Sequence, residues 1–448
     1  MRIEHVVYEK LRPWYSSLFI SYCMDDGRAG RFFSRRYRDE SGLLERARQA
    51  AGRGLEKGIL EALTRHHQAL GAPRESMAAL EKLGRGAAIV VTGQTPGLGW
   101  GPLFTYYKAV SALKYAQGIE ARGVPCVAAF WNHSDDVAGG GAVAFPGPED
   151  RPREVSVPPL GMAERTLYES AAPEILSLFS SSLAAGLPRT EFSPWLDELL
   201  RSSHRGSVAE SFSRSLLSLL GAHGLVVLEP RHLEGEESAR FFEDHLRHPD
   251  RLSRAVEEGR RAVVAEGFED HLGRDVGLNL FEVRGGRRTR LAADLDPQGR
   301  PSAGMALRPL LQDAVLPTCA CVGGPSEIGI MAALAPAYAA FGIDPPVVFP
   351  RTTATLLEPR IARLVEKHGL KSGDLFGPDA ALEARMKNGT PEEGAAARLR
   401  AHLRPDGKLQ ERVFTPFYYA AVVGPALPVK FFQALDPFVF SHQLITIS

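Results

Sequence analysis

The chain has 448 residues, 44% of them apolar, which is enough for a large core and, at roughly 100 to 200 residues per domain, for two or three domains or one large α/β unit with insertions. Its 53 lysines and arginines balance 53 aspartates and glutamates, so no global field favours nucleic acid or an anionic membrane, and small-molecule chemistry gains. No run approaches the roughly 18 apolar residues of a bilayer span, and Met1-Arg2-Ile3-Glu4-His5 does not open a signal peptide, so the expected location is the cytoplasm.

Residues 1 to 85 read as helices, with helical apolar spacing over Leu43 to Ala51, Leu60 to Ala69 and Ser76 to Leu83. Ala87-Ala88-Ile89-Val90-Val91 is then an unbroken apolar run before a glycine-rich turn, as expected of a parallel strand covered on both faces. Pro102 suits the first turn of a helix whose face is marked by Leu103, Tyr106, Tyr107, Val110 and Leu113 until Gly118. Cys126 to Phe130 is the next strand, which completes a β-α-β unit. The strand-then-turn pattern returns three times: Leu225 to Leu228 before Glu229-Pro230-Arg231, Thr318 to Val322 before Gly323-Gly324-Pro325-Ser326-Glu327, and Val347 to Phe349 before Pro350-Arg351-Thr352-Thr353. In a mostly parallel sheet these five turns line the carboxyl edge, where open α/β folds bind ligands.

The chain therefore divides into a core over 1–139 with N-terminal helices, an insertion over 140–220, a core strand over 221–231 and a second insertion over 232–304. The core resumes over 305–370, followed by a shortened helical connector over 371–411, which contains Lys387-Asn388-Gly389-Thr390-Pro391, and a C-terminal segment over 412–448 packed on the core. Glu243-Asp244-His245-Leu246 and Glu269-Asp270-His271-Leu272 repeat a pattern that could ligate metal, but carboxylates beside histidine on a polar helix read as a solvated face. Four scattered cysteines make neither a disulfide framework nor a zinc site, and Cys126, Cys319 and Cys321 read as buried thiols.

Gly93-Gln94-Thr95-Pro96-Gly97 opens toward a helix N-terminus, so its backbone N–H groups could cradle a carboxylate or phosphate; the alternative is a tight turn without a ligand. It is neither a Walker loop nor a G-x-G-x-x-G turn. One strand away, Asn132-His133-Ser134-Asp135-Asp136 concentrates ionisable groups. Two adjacent carboxylates in extended chain point apart, so one faces the site while the other caps a helix or orients His133. The open roles are general base for an amine, magnesium ligand, partner of a hydroxyl-rich substrate, or simply a capped turn. Arg308, near Gln312 and Asp313, and Arg351 could each hold a carboxylate bidentately or form surface ion pairs. Glu327 stands where a routine helix cap also stands.

The ordered segments Gly93 to Gly97, Gly101-Pro102-Leu103-Phe104-Thr105-Tyr106-Tyr107-Lys108, Phe130-Trp131, Leu307-Arg308-Pro309-Leu310-Leu311-Gln312-Asp313, Gly323 to Glu327 and Pro350 to Leu356 resemble the cysteine-ligase family of bacillithiol biosynthesis. The resemblance runs from about residue 60 to 370 and returns at the C-terminus. It implies a Rossmann-like, nucleotidyltransferase-like core with two connecting insertions, and a ligase joining cysteine to the amine of glucosaminyl-malate. The cofactor is not fixed by the resemblance; because an amine does not displace an unactivated carboxylate, activation as an adenylate or acyl phosphate is expected, with ATP and magnesium as the candidate and no resident metal. For the site the resemblance implies Asp135, Asp136 and His133 as catalytic, with Gly93, Gln94, Thr95, Gly97, Thr105, Lys108, Asn132, Arg308, Gln312, Glu327 and Arg351 binding substrate or nucleotide. The sequence departs from the family at Asp135-Asp136-Val137-Ala138, where Glu-Asp-His-Asp is usual, at Gly304 for asparagine, at Thr95 for glutamine, and in most of the coiled coil between Leu370 and Arg412, on which a homodimer would rest. A diverged nucleotidyl or aminoacyl transferase for another amine, and a non-catalytic nucleotide-binding homologue, are the alternatives.

Overall fold

A computed structural model of the chain describes residues 1–137, 142–147, 151–156, 165–169, 173–273, 276–292, 297–387 and 394–447. Ala138 of the expected catalytic turn, and Asn388 to Pro391 of the connector, lie outside the described residues. The chain starts with β1 (Arg2–Val6), then α1 (Ser17–Met24), α2 (Glu40–Ala51), α3 (Lys57–Leu70) and α4 (Arg74–Gly84). The helical reading of residues 1 to 85 omits β1, because only Val6 of that strand is buried and its pairing partner lies at the other end of the chain.

Next come β2 (Ala88–Gln94), α5 (Leu103–Glu120) and β3 (Cys126–Asn132), the expected β-α-β unit. Helix α5 runs past Gly118 because that glycine is a packing contact and not a stop: a Cβ there would stand 3.1 Å from the Phe438 ring. The first insertion supplies a hairpin, β4 (Ala142–Pro146) with β5 (Pro152–Ser156), and α6 (Pro173–Gly186), α7 (Ser193–Ser203) and α8 (Val208–Leu220) before β6 (Val226–Leu228). The second supplies α9 (Glu236–Arg247), α10 (Arg251–Ala265), and an antiparallel sheet of β7 (Leu280–Arg284), β8 (Arg287–Arg290) and β9 (Arg300–Ala303). Then follow α11 (Arg308–Val315), β10 (Thr318–Gly323), α12 (Pro325–Ala340), β11 (Val347–Pro350) and β12 (Thr353–Leu357). The described chain closes with α13 (Pro359–Lys367), α14 (Asp379–Lys387), α15 (Ala395–Leu403), α16 (Pro416–Val423), α17 (Leu427–Ala434) and β13 (His442–Thr446).

The five apolar runs form one sheet in the order β11-β10-β2-β3-β6, with every pairing parallel. From β2 the chain steps outward through β3 and β6 on one side and through β10 and β11 on the other, which is the order of a Rossmann half-sheet with its reversal between β2 and β10. Every residue of β3 and the first five of β2 are buried, as strands covered on both faces must be. A second sheet, β1-β13-β12, joins the two ends of the chain.

The repeated Glu-Asp-His-Leu segments serve packing. His245 Nε2 stands 2.7 Å from the Leu278 carbonyl, Asp270 pairs with Arg260, and His271 lies against Gly329 of α12. Among the described residues, no helix is long and apolar enough to cross a membrane.

Candidate active site

At the carboxyl ends of β2 and β10 lies a cavity of about 110 Å³. Thr92 and Gly93 of β2, His133 just past β3, and Cys321 and Val322 of β10 line it, with Met305, Arg308, Pro309 and Gln312 around the start of α11 and Glu327, Ile330 and Met331 of α12. Five residues singled out in the sequence therefore share one cavity: Gly93, His133, Arg308, Gln312 and Glu327. It sits where the strand order reverses, the place at which open α/β sheets bind ligands.

Gly93 has to lack a side chain, because a Cβ would stand 2.7 Å from His133 Nε2 and 2.8 Å from the Trp131 carbonyl. The loop after β3 is fixed through its backbone: Asp136 N–H donates to His133 O at 3.0 Å, while the N–H groups of Leu167 and Tyr168 donate to the carbonyls of Asp136 and Ser134 at 2.9 and 3.1 Å. This presents Asp136 to two guanidiniums. Its carboxylate accepts from Arg308 Nη2 at 2.5 Å, Arg288 Nη1 at 3.2 Å and Thr95 Oγ1 at 2.6 Å. Burial alone would raise the Asp136 carboxyl, but the Arg308 guanidinium, by charge and hydrogen bond, holds it below the usual carboxylate range, so it is an anion.

His133 Nδ1 lies 4.0 Å from Asp136 Oδ2. Burial, and then the charge of Arg308, push the imidazole well below its ordinary value, so His133 is neutral in this site. Lys108, which is 1% exposed, donates to Gly93 O at 3.0 Å and Gln94 Oε1 at 2.9 Å and pairs with Glu327. Burial would raise the Glu327 carboxyl, but Lys108 lowers it, so an anion stands in the cavity wall. Glu327 also caps α12, accepting from Gly324 N–H at 3.0 Å.

The remaining expected site residues stand elsewhere. Asp135 is clamped by Arg300, with Nη1–Oδ2 at 2.9 Å and Nη2–Oδ1 at 2.5 Å, and does not line the cavity. Asn132 donates to Ala209 O at 2.9 Å and Ser213 Oγ at 2.8 Å, which ties β3 to α8. Arg351, 3% exposed, already holds a carboxylate of its own chain: its two terminal nitrogens bond Glu411 at 2.7 and 3.0 Å. Glu411 further accepts from Tyr15 OH at 2.8 Å and Ala354 N–H at 3.2 Å, so Arg308 is the arginine that reaches the cavity.

Gly97 and Thr105 belong to a turn that the chain closes on itself. Gly99, Trp100 and Gly101 have φ of 58°, 66° and 67°, and the strained Trp100 is held by stacking on Phe417 at 3.7 Å. Thr415 Oγ1 donates to Gly99 O at 2.5 Å, and the Leu103 N–H at the start of α5 donates to Phe414 O at 2.8 Å. That α5 terminus, expected to offer N–H groups to an anion, is thus capped by the C-terminal segment.

Arg288, Arg300, Glu411, Met305, Ile330 and Met331 were absent from the sequence-based set. Only Arg288 had a usable signal, since Gly285-Gly286 between two short runs announces a hairpin that would carry it. Among the described residues, no group of three or more His, Cys, Asp or Glu side chains could hold a metal ion. The cavity's lining offers both signs of charge, Arg308 and Glu327, beside His133 and Gln312, a set that suits a small zwitterionic ligand.

The strand order and the cavity at its reversal define a Rossmann-like α/β enzyme. Comparison with known families sharpens this: the N-terminal Rossmann-like domain of bacillithiol biosynthesis BshC matches residues 1–300 and 296–352, and the C-terminal coiled-coil domain of the same family matches 382–447. The chain belongs to this ligase family. A protein of Heliobacterium modesticaldum named "Putative cysteine ligase BshC" is 31% identical over 431 residues, which is 85% of this chain and 76% of that protein. Proteins of the same name from Salinibacter ruber and Thermus thermophilus are 25% and 31% identical, with matches covering 97% and 70% of this chain and 96% and 66% of theirs. Within the coiled-coil match the described helices, α14 to α17, are only eight or nine residues long.

Proposed function

We propose that this enzyme joins the carboxyl of cysteine to the amine of an amino-sugar conjugate such as glucosaminyl-malate, in the cytoplasm. The observation that carries the reading is the cavity at the strand reversal, lined by Arg308, Glu327 and neutral His133. Opposite charges in one small space suit an amino acid: Glu327 takes the ammonium and Arg308 the carboxylate. Asp136 keeps Arg308 aimed, and the neutral His133 imidazole accepts a hydrogen bond from the attacking amine. The conjugate is bulkier than the cavity and lies at its mouth, beside half-exposed Met305. The family and the names of the relatives support the amino-acid assignment.

An amine does not displace an unactivated carboxylate at a useful rate, so a co-substrate activates it. In our reading that is ATP with magnesium. Purified protein given cysteine, glucosaminyl-malate and ATP should form the amide, detected by mass spectrometry; absence of product with every nucleotide tried refutes the assignment. Val137 and Ala138, standing where the family usually has histidine and aspartate, favour a second reading in which the acceptor is a different amine. A panel of amines in the same assay separates the two.

A further inference from the structure

The cavity lining holds two unlike sets of side chains. Gly93, His133, Arg308, Gln312 and Glu327 form the polar set, while Met305, Cys321, Val322, Ile330 and Met331 form the other. The second set includes three sulfur-bearing side chains and no hydroxyl, carboxylate or amide among its own members, with Glu327 one turn before Ile330 and Met331 on α12. Among the lining residues only Thr92 carries a hydroxyl, and its Oγ1 donates to Val322 O at 2.9 Å. Burial keeps Cys321 a neutral thiol, raised well above its ordinary value, so it adds no charge. Met331 is 7% exposed and its Sδ stands 4.0 Å from the Tyr338 hydroxyl, whereas Met305, 50% exposed, stands at the mouth.

Resting on the reading above, we infer that Met305, Cys321, Ile330 and Met331 select the side chain of the amino-acid substrate, accepting a thiol or a methyl group of the same reach and rejecting the hydroxyl of serine. The reason is desolvation. A soft, polarisable wall packs well against sulfur, and a thiol surrenders little hydration on entering it. A hydroxyl packed against these four side chains leaves water without a good acceptor among them, and apolar pockets discriminate against such an isostere by on the order of 10- to 100-fold. Shape cannot do this, since serine is the smaller molecule, so the chemistry of the wall has to.

The test titrates the full-length protein calorimetrically with L-cysteine, L-serine and L-2-aminobutyrate, in which a methyl replaces the thiol. The expected result is that 2-aminobutyrate binds nearly as cysteine does and serine on the order of 10- to 100-fold more weakly. Met331→Gln places an amide in the wall and should narrow the gap between serine and cysteine while weakening 2-aminobutyrate. Met305→Gln makes the same change at a position whose exposure tolerates a polar side chain, so the comparison survives if Met331→Gln does not fold. Equal binding of cysteine and serine by the unmodified protein overturns the inference. So does tight cysteine binding with no binding of 2-aminobutyrate, which would mean that the thiol is recognised by something other than an apolar wall. If no amino acid binds at all, the amino-acid site itself falls, and this inference with it.

Discussion

Replacing Asp136 by asparagine removes one negative charge while keeping shape and an acceptor oxygen. In the folded protein that charge faces Arg308 and Arg288, whose side chains are 12% and 9% exposed, so both guanidiniums lose their shared counter-charge in a poorly solvated place. Breaking a buried ion pair by removing one partner costs about 3 to 5 kcal/mol. The lower end applies here, because Asp136 is itself 21% exposed and an amide oxygen can still accept one hydrogen bond. About 3 kcal/mol of destabilisation is therefore expected, read as a lower urea midpoint with little change in slope. Asp136→Asn combined with Arg288→Gln should cost less than the sum of the single changes, since the second removes the stranded cation. Amide formation by Asp136→Asn should fall by on the order of 100-fold, as Arg308 loses the anchor that aims it. An unchanged urea midpoint, or a double variant whose costs simply add, would refute the reasoning.

Three further outcomes follow from the same structure. Gly93→Ala drives a Cβ into His133 Nε2 and the Trp131 carbonyl; overpacking of this kind costs about 1 to 3 kcal/mol, and His133→Ala in the same chain should not restore stability, because the backbone oxygen remains. Glu411→Gln strands buried Arg351 and should cost about 3 to 5 kcal/mol by thermal or urea unfolding, whereas Glu236→Gln, which only loosens an exposed pair with Arg240, should cost about 0 to 1. Burial depresses His67, His232 and His442 to about 4, 3 and 4 in the folded protein, against about 6.5 unfolded. Between pH 6.5 and 4 the unfolded chain binds protons that the folded one refuses, so stability is present above pH 6.5 and is lost as pH falls, by up to about 1.4 kcal/mol per pH unit for each histidine. A urea midpoint that stays flat from pH 7 to 4 would contradict this.

The five core strands were legible because each is a short apolar run ending in Gly, Pro or polar turn residues, and a strand buried on both faces leaves that local mark. The cavity was legible in part for the same reason: Gly93, His133 and Glu327 sit at or just beyond strand ends. What could not be read were partnerships between distant segments. Nothing near Asp135 foretells that Arg300 of the second insertion clamps it, and nothing near Arg351 foretells Glu411. Strands β1 and β13 carry Arg, Glu, His and Gln and find each other only once the chain has folded back. The apolar wall had no signal, since methionine and isoleucine on a helix are ordinary core residues until the sheet edge opposite them is known.

The turn after β2 is completed from the far end of the molecule: Phe414 caps α5, Thr415 holds Gly99, and Phe417 braces Trp100. β13, moreover, is the middle strand between β1 and β12. During synthesis the ribosome must therefore release some three hundred residues beyond the glycine-rich turn before that turn can settle. A chain cut short before Phe414 has the parallel sheet and the whole cavity lining, yet its α5 terminus and Trp100 lack the contacts that hold them, so the site's floor is finished only when the chain is.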